Sequence, residues 1–146
     1  MKNNIATRIF FLSIALLICF SSCDNDDTQL EADRVSQLLT TGGTWNMQSV
    51  TVSSTDQTAL YSGLQISFTE AAYTSVNGGT IWPASGTWEF TNETATVIKR
   101  NDGVMIALNE VTEKKLVMSF TWDKTTLGSG RVNSISGQHV FTFTRP

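Results

Sequence analysis

Apolar and polar residues alternate most clearly along residues 116–122. Every second residue of this run is large and apolar: Leu116, Met118, Phe120 and Trp122. Because successive side chains of a β-strand point to opposite faces, the pattern predicts a strand with one buried face. Similar short runs, rich in Thr, Val, Ile, Phe and Trp, follow one another from residue 44 onward, with Gly, Asn, Asp and Ser between them. The chain beyond residue 44 is therefore predicted to be an all-β domain.

Eight strands are predicted in succession. Their ranges are residues 45–52, 64–68, 72–76, 86–90, 94–99, 104–111, 116–122 and 138–144. Asn101-Asp102-Gly103 is the strongest turn signal, because Asp and Gly tolerate the positive φ of a tight hairpin. Asn92-Glu93 and Glu113-Lys114 mark two further hairpins. Sequential hairpins predict neighbouring antiparallel strands.

The succession of hairpins favours an eight-stranded antiparallel up-and-down barrel. Closing the sheet removes both exposed edges, and eight strands enclose either packed side chains or one small ligand. The alternative is an open sandwich of two sheets with Greek-key crossings, which needs longer connections than this chain provides. Before the strands, residues 24–41 are polar. They predict a tether and a short helix at residues 30–39, whose apolar side is Val35, Leu38 and Leu39.

The first 27 residues have the layout of a bacterial lipoprotein signal. Lys2 and Arg8 precede an apolar run at residues 9–20, which ends at Ser21-Ser22-Cys23. The run has about a dozen residues, whereas a membrane-spanning helix needs about 20. We therefore expect a signal peptide at 1–22, an acylated tether with a short helix at 23–41 and a barrel domain at 42–146. Ordinary secretion, or an uncleaved leader, is the alternative.

Acidic residues follow directly after Cys23, at residues 24–27 apart from Asn25. This arrangement resembles the surface-export signals of Bacteroidota lipoproteins. The resemblance implies a lipid anchor at Cys23 in the outer membrane, with the domain on the cell surface. The alternatives are a domain that faces the periplasm and an acidic stretch that serves only as a solvated tether.

The charge and the cysteine content argue against several classes of function. The formal net charge is −3, and without residues 1–22 eight basic and 13 acidic residues leave −5. An acidic domain without a basic patch argues against nucleic-acid binding. Cys19 leaves with the signal and Cys23 is acylated, so the mature domain has no thiol for a disulfide, a metal or nucleophilic catalysis.

A motif at the start of the first strand, Gly43-Thr44-Trp45, resembles the Gly-x-Trp motif of lipocalins and of small lipocalin-like domains in Bacteroidota lipoproteins. The resemblance covers the β region from about residue 39 to 146. It implies that Trp45 packs across the closed end of the barrel, beneath Arg145. This chain is shorter than animal lipocalins and lacks their disulfides.

The open end of such a barrel collects the loops at residues 53–63, 77–85 and 123–136. Tyr61 and Trp82 are large side chains in these polar loops, and exposed loop aromatics often contact ligands or partners. The alternative is that both fold back as plugs over the core. Trp88, Phe120 and Trp122 point inward by alternation, so that they either line a ligand cavity or fill a core.

Catalysis has little support in the sequence. His139 is the single histidine and has no triad or metal-ligand spacing around it, so a structural or solvent-facing role is expected. We expect no catalytic residues, no metal and no cofactor. The leading hypothesis is a membrane-anchored, non-enzymatic protein that binds a small apolar or amphipathic molecule. The alternatives are a surface module that recognises a glycan or an envelope protein through Tyr61 and Trp82, and a small hydrolase with converging carboxylates.

Overall fold

The computed structural model of the protein describes residues 25–123 and 136–146, with side chains from residue 30 onward in the helix. The predicted signal peptide, Cys23 and residues 124–135 of the last long connection lie outside the described residues.

Nine strands and two helical segments make up the described chain. The helical segments are α1 (Asn25–Thr40) and one 3₁₀ turn (Thr58–Tyr61). The strands are β1 (Trp45–Val52), β2 (Thr55–Asp56), β3 (Gln65–Phe68), β4 (Ala72–Val76), β5 (Ser85–Phe90), β6 (Val97–Arg100), β7 (Met105–Val111), β8 (Lys115–Trp122) and β9 (Gly137–Thr144). All neighbours pair antiparallel.

The sheet closes into a barrel because β1 pairs with both β3 and β9. Eight strands form the closed ring in sequential order, and the two-residue β2 pairs only with the end of β1. The predicted up-and-down barrel with an N-terminal helix is therefore confirmed, and the sandwich alternative is wrong. Closure leaves no long sheet edge exposed among these eight strands.

Turn chemistry explains where the predicted strand limits were wrong. β6 begins at Val97 rather than at residue 94, because Ala95 has a φ of +52° and the Asn92 side chain accepts the backbone N–H of Thr96. The β6–β7 hairpin forms where Asn101-Asp102-Gly103 predicted it, with Gly103 at a φ of +87°. The short β2 and the 3₁₀ turn lie inside a segment that was predicted to be a loop.

Two bulges change which residues point inward. Gln48 is an extra residue between Met47 and Ser49, so the buried set of β1 passes from Trp45 to Val50 and Val52. A second bulge lies between Leu108 and Glu110 in β7. The predicted alternation of β8 is confirmed, since its four large apolar residues are all buried.

The helix α1 closes one end of the barrel. It starts five residues before the predicted amphipathic stretch and buries Val35 and Leu39 against the barrel. Thr41 donates its backbone N–H to the Gln37 carbonyl at 2.8 Å, and Gly42 then reverses the chain direction with a φ of +97°. We call this end, with Trp45 and the β7–β8 turn, the floor. The opposite end, with residues 53–64, 77–84 and 101–104, is the mouth.

No helix in the described part of the chain is long and apolar enough to cross a membrane.

Candidate functional site

The floor is organised around Trp45 and Arg145. Cζ of the Arg145 guanidinium lies 4.1 Å from the centre of the Trp45 ring, in the arrangement that the resemblance implies. The Trp45 indole N–H donates to the Leu39 carbonyl at 3.1 Å, which satisfies a carbonyl of the last helical turn. Arg145 Nε donates to the Glu113 carbonyl of the β7–β8 turn. Helix, first strand, last strand and turn are thus joined at one point.

At the mouth, the two loop aromatics fold back into the barrel. Trp82 is 1% exposed and Tyr61 4% exposed. The Trp82 ring meets the rings of Phe120 and Phe141 edge-on, at centroid distances of 5.8 and 6.1 Å. Of the two alternatives for these side chains, the structure shows the plug, and neither is exposed for contact with a glycan or an envelope protein.

A buried arginine lies beside the Trp82 plug. Arg100 is 1% exposed, and its Cζ lies 5.0 Å from the centre of the Trp82 ring and 5.9 Å from those of Tyr73 and Phe120. Its Nε and Nη2 donate to the two carboxylate oxygens of Asp102, and its Nη1 donates to the Ile81 carbonyl at 2.8 Å. The charge is therefore balanced by a bidentate carboxylate and enclosed by aromatic faces.

Tyr61 and His139 form a second buried polar contact. His139 Nδ1 lies 3.0 Å from the Gly137 carbonyl, which can only accept, so the hydrogen sits on Nδ1. His139 Nε2 is then free to accept the Tyr61 hydroxyl hydrogen, over 3.1 Å. Burial lowers the pKa of His139 and raises that of Tyr61 to about 12. Both groups are thus held in their neutral forms. We call Tyr61, Trp82, Arg100 and His139 the mouth cluster.

The remaining ligand candidates occupy different depths of the barrel. Phe120 adjoins the mouth cluster and stacks on the His139 ring at 5.6 Å. Trp88 lies towards the floor, where its indole N–H donates to the carbonyls of Thr69 and Ala72 in and beside the β3–β4 turn. Trp122 is buried at the mouth end of β8. The structure therefore brings Tyr61, Trp82 and Phe120 together and leaves Trp88 outside that group.

Arg100 was not predicted to lie in the interior, and for His139 a structural and a solvent-facing role were both left open. Both follow the inward alternation of their strands, Arg100 after Ile98 and His139 before Phe141. That parity is a signal that could have identified them. The signal is weak for Arg100, because an arginine is seldom fully buried unless it is paired.

The mouth cluster supplies groups that can bind a small molecule. The described residues contain no group of three His, Cys, Asp or Glu side chains that could hold a metal ion. The interior at the mouth offers aromatic faces, the Arg100 guanidinium and the Trp82 indole N–H, whose Nε1 has no hydrogen-bond partner among the described residues. These groups can enclose an apolar body and contact a polar end.

Comparison of the chain with protein-family models, with curated proteins and with solved structures finds no match. The fold is lipocalin-like by its closed eight-stranded ring and N-terminal helix, and no family is identified for the chain.

Proposed function

We propose that this protein is a non-enzymatic, lipocalin-like lipoprotein, anchored in the outer membrane through Cys23, that binds a small amphipathic molecule at the barrel mouth. The observation that carries the proposal is the placement of Trp82. Its side chain comes from a loop, yet it occupies the barrel interior against Phe120 and Phe141. A ligand can therefore take the place of Trp82 without unpairing any strand.

The closed position of Trp82 has an unfavourable component. A buried N–H without a partner costs about 1–3 kcal/mol, and Nε1 of Trp82 is such a group in the described structure. Hydrogen bonds that hold the loop include two from Ser75 Oγ, to the carbonyls of Trp82 and Pro83, one from Arg100 to Ile81, and backbone bonds within residues 75–84. The side chains of Ile81 and Trp82 are also buried. Opening the loop breaks these contacts but leaves the pairing of the barrel strands intact.

The side chains that become accessible when the loop opens favour a ligand with an acidic head group. Arg100 Nη1 loses its Ile81 partner when the loop lifts, and the guanidinium then has a donor that faces the interior. The faces of Phe120 and Phe141 lie next to it and match an apolar body. A short fatty acid combines these two properties.

The ligand is tested with the full-length chain purified from membranes in a neutral detergent. Native mass spectrometry measures one-to-one adducts with added dodecanoate and with dodecanol, which lacks the carboxylate. We expect dodecanoate to bind more tightly than dodecanol. Trp82→Ala removes the competing side chain and raises the apparent affinity roughly tenfold, because the open state no longer has to displace it.

Leu60→Ala is the matched control, since Leu60 lies in the neighbouring mouth loop and is largely exposed. It is expected to leave dodecanoate binding unchanged. Equal affinities for wild type, Trp82→Ala and Leu60→Ala, or the absence of any adduct, would remove the ligand part of the proposal.

The anchor is tested separately. Cys23→Ala is expected to move the protein out of the membrane fraction and to abolish incorporation of radiolabelled palmitate, because acyl chains hold the domain on the membrane. Digestion of intact cells with an added protease distinguishes a surface location from one that faces the periplasm.

A further inference from the structure

A pocket of about 390 Å³ lies at the floor, between α1 and the barrel, at the opposite end from the mouth cluster. Its walls come from the second half of α1, the β7–β8 turn and the end of β9. Arg34, Lys114 and Arg145 line it together with one carboxylate, that of Glu113, and the partly apolar surface of Leu38. Its volume is within the range of small-molecule sites.

The charge of the pocket is opposite to that of the protein. Three cationic residues line the pocket and two carboxylates oppose them, Glu113 in the lining and Glu31 on Arg34, whereas the whole chain has a net charge of −3. Arg34 also pairs with Glu31 at 2.7 Å, but both side chains of that pair are well exposed, which keeps the guanidinium accessible. A local positive site in an acidic protein selects anions.

Arg145 supplies a fixed donor at the base of the pocket. It is 9% exposed and held flat on Trp45, and its Nε is used by the Glu113 carbonyl. Its buried Nη1 has no hydrogen-bond partner within residues 25–123 and 136–146. Burial lowers the pKa of Arg145, and the charge of Glu113 partly opposes this. A buried guanidinium N–H without a partner is unfavourable, and an oxyanion relieves that cost.

Gly42 packs directly against this guanidinium. A Cβ at position 42 would lie 3.0 Å from Arg145 Cζ and 3.2 Å from Nη1. The φ of +97° also favours glycine there. The absence of a side chain therefore lets the chain after α1 pass close to Arg145 without displacing the guanidinium.

We propose that the floor pocket binds a phosphate group of a small molecule, with Arg145, Arg34 and Lys114 as its cationic partners. Three cations still exceed the two carboxylates beside them, Glu31 and Glu113, and they match a phosphate monoester, which carries up to two negative charges and three terminal oxygens. The apolar surface of Leu38 contacts the rest of the molecule.

Two kinds of molecule can carry this phosphate group: a soluble phosphate ester, or a phospholipid with the phosphate in its head group. The lipid source rests on the proposed anchor, since α1 begins two residues after Cys23 and leads to the floor. The phosphate site itself depends neither on the anchor nor on a ligand at the mouth.

The experiment is isothermal titration calorimetry on the full-length chain in a neutral detergent. The probes are glycerol phosphate, the water-soluble lipid dihexanoyl phosphatidic acid, and glycerol as the uncharged comparison. Both phosphates are expected to bind and glycerol is not. Similar affinities of the two phosphates identify a soluble ester as the source, and a clear preference for phosphatidic acid identifies a head group.

Lys114→Gln is expected to weaken binding of both phosphates roughly tenfold, as the loss of one charge-assisted contact does. Lys115→Gln is the matched control: it makes the same charge change one residue later, on a side chain that pairs with Glu110 at 2.7 Å outside the pocket. Arg34→Gln is a second pocket variant on an exposed side chain. Absence of binding by either phosphate, or equal losses in Lys114→Gln and Lys115→Gln, would overturn the proposal. Dodecanoate binding at the mouth is unaffected in either case, which separates the two proposals.

Discussion

The two ends of the barrel each bury an arginine, and the two arginines are satisfied to different degrees. At the mouth, Arg100 uses all three kinds of guanidinium nitrogen, on Asp102 and on the Ile81 carbonyl. At the floor, Arg145 uses Nε on the Glu113 carbonyl and leaves Nη1 without a partner in the described chain.

This difference in hydrogen bonding indicates a different role for each buried arginine. Arg100 has its counter-charge two residues away in the same hairpin, so its charge is paired in the closed mouth. Arg145 is held mainly by an aromatic face and opens onto a pocket with other cations. A buried charge that is fully paired inside the protein stabilises one closed arrangement, whereas an incompletely paired one favours an external anion.

The largest effect is expected from Asp102→Asn. It leaves the buried Arg100 guanidinium without its counter-charge, and the free energy of unfolding falls by about 3 kcal/mol, towards the low end for buried pairs because Asp102 is 26% exposed. Urea denaturation followed by tryptophan fluorescence measures the change. Glu110→Gln, which removes one member of an exposed pair with Lys115, is the control and costs less than about 1 kcal/mol.

Arg100→Met combined with Asp102→Asn tests the explanation of that loss. Removing the charge together with its partner is expected to recover much of the stability, since an apolar side chain suits the surrounding rings. A double variant that is less stable than Asp102→Asn alone would show that Arg100 stabilises the mouth in some other way.

A smaller effect is expected from Arg145→Met. The variant loses the stacking on Trp45 and the bond to Glu113, but it also removes a buried donor that had no partner. The two losses together lower the free energy of unfolding by about 1–2 kcal/mol in the same urea experiment. A loss of stability as large as that of Asp102→Asn would contradict the prediction that the two buried arginines differ in how completely they are paired.

The next prediction concerns pH at the mouth. Burial lowers the pKa of His139 below its ordinary value of 6.5, so the unfolded chain binds this proton more readily than the folded one. Stability therefore falls as pH drops below about 6.5, by at most about 1.4 kcal/mol per pH unit, and stops falling below the folded pKa. Urea denaturation at a series of pH values measures the slope. His139→Phe retains a ring between Tyr61, Phe120 and Phe141 and is expected to remove this pH dependence. An unchanged slope in the variant would show that other titrating groups cause the pH dependence.

Local alternation was enough to predict the barrel, because period-two runs and hairpin signals act over a few residues. The strand of Leu116 to Trp122 and the turn at Gly103 are examples. The bulges near Gln48 and Asn109 carry no comparable local signal, yet they decide which residues of β1 and β7 point inward. The sequence therefore predicted the type of each element better than it predicted which residues of β1 and β7 point inward.

The polar interior and the floor pocket could not be predicted in the same way. Arg100 is acceptable inside only because rings from β4, the β4–β5 loop and β8 surround it, and such contacts depend on tertiary packing. The floor pocket depends on where α1 lies against the β7–β8 turn. The Trp45–Arg145 contact was anticipated through a family resemblance, whereas alternation alone does not join the first strand to the residue that follows the last.

The smallest effect is expected from Tyr61→Phe, which tests the hydrogen bond between Tyr61 and His139 at the mouth. Phenylalanine retains the edge-on contact with Phe141 at 5.2 Å, so only the hydroxyl is lost. His139 Nε2 then has no donor from position 61, and the free energy of unfolding falls by about 1 kcal/mol. Nitrogen NMR of the His139 ring gives an independent measurement: with Nδ1 bound to the Gly137 carbonyl, the hydrogen is expected to stay on Nδ1 in both proteins while the Nε2 resonance shifts. A hydrogen on Nε2 in the wild type would reverse the Tyr61 contact, because Tyr61 would then accept it, and His139 Nδ1 would then have no hydrogen to donate to the Gly137 carbonyl.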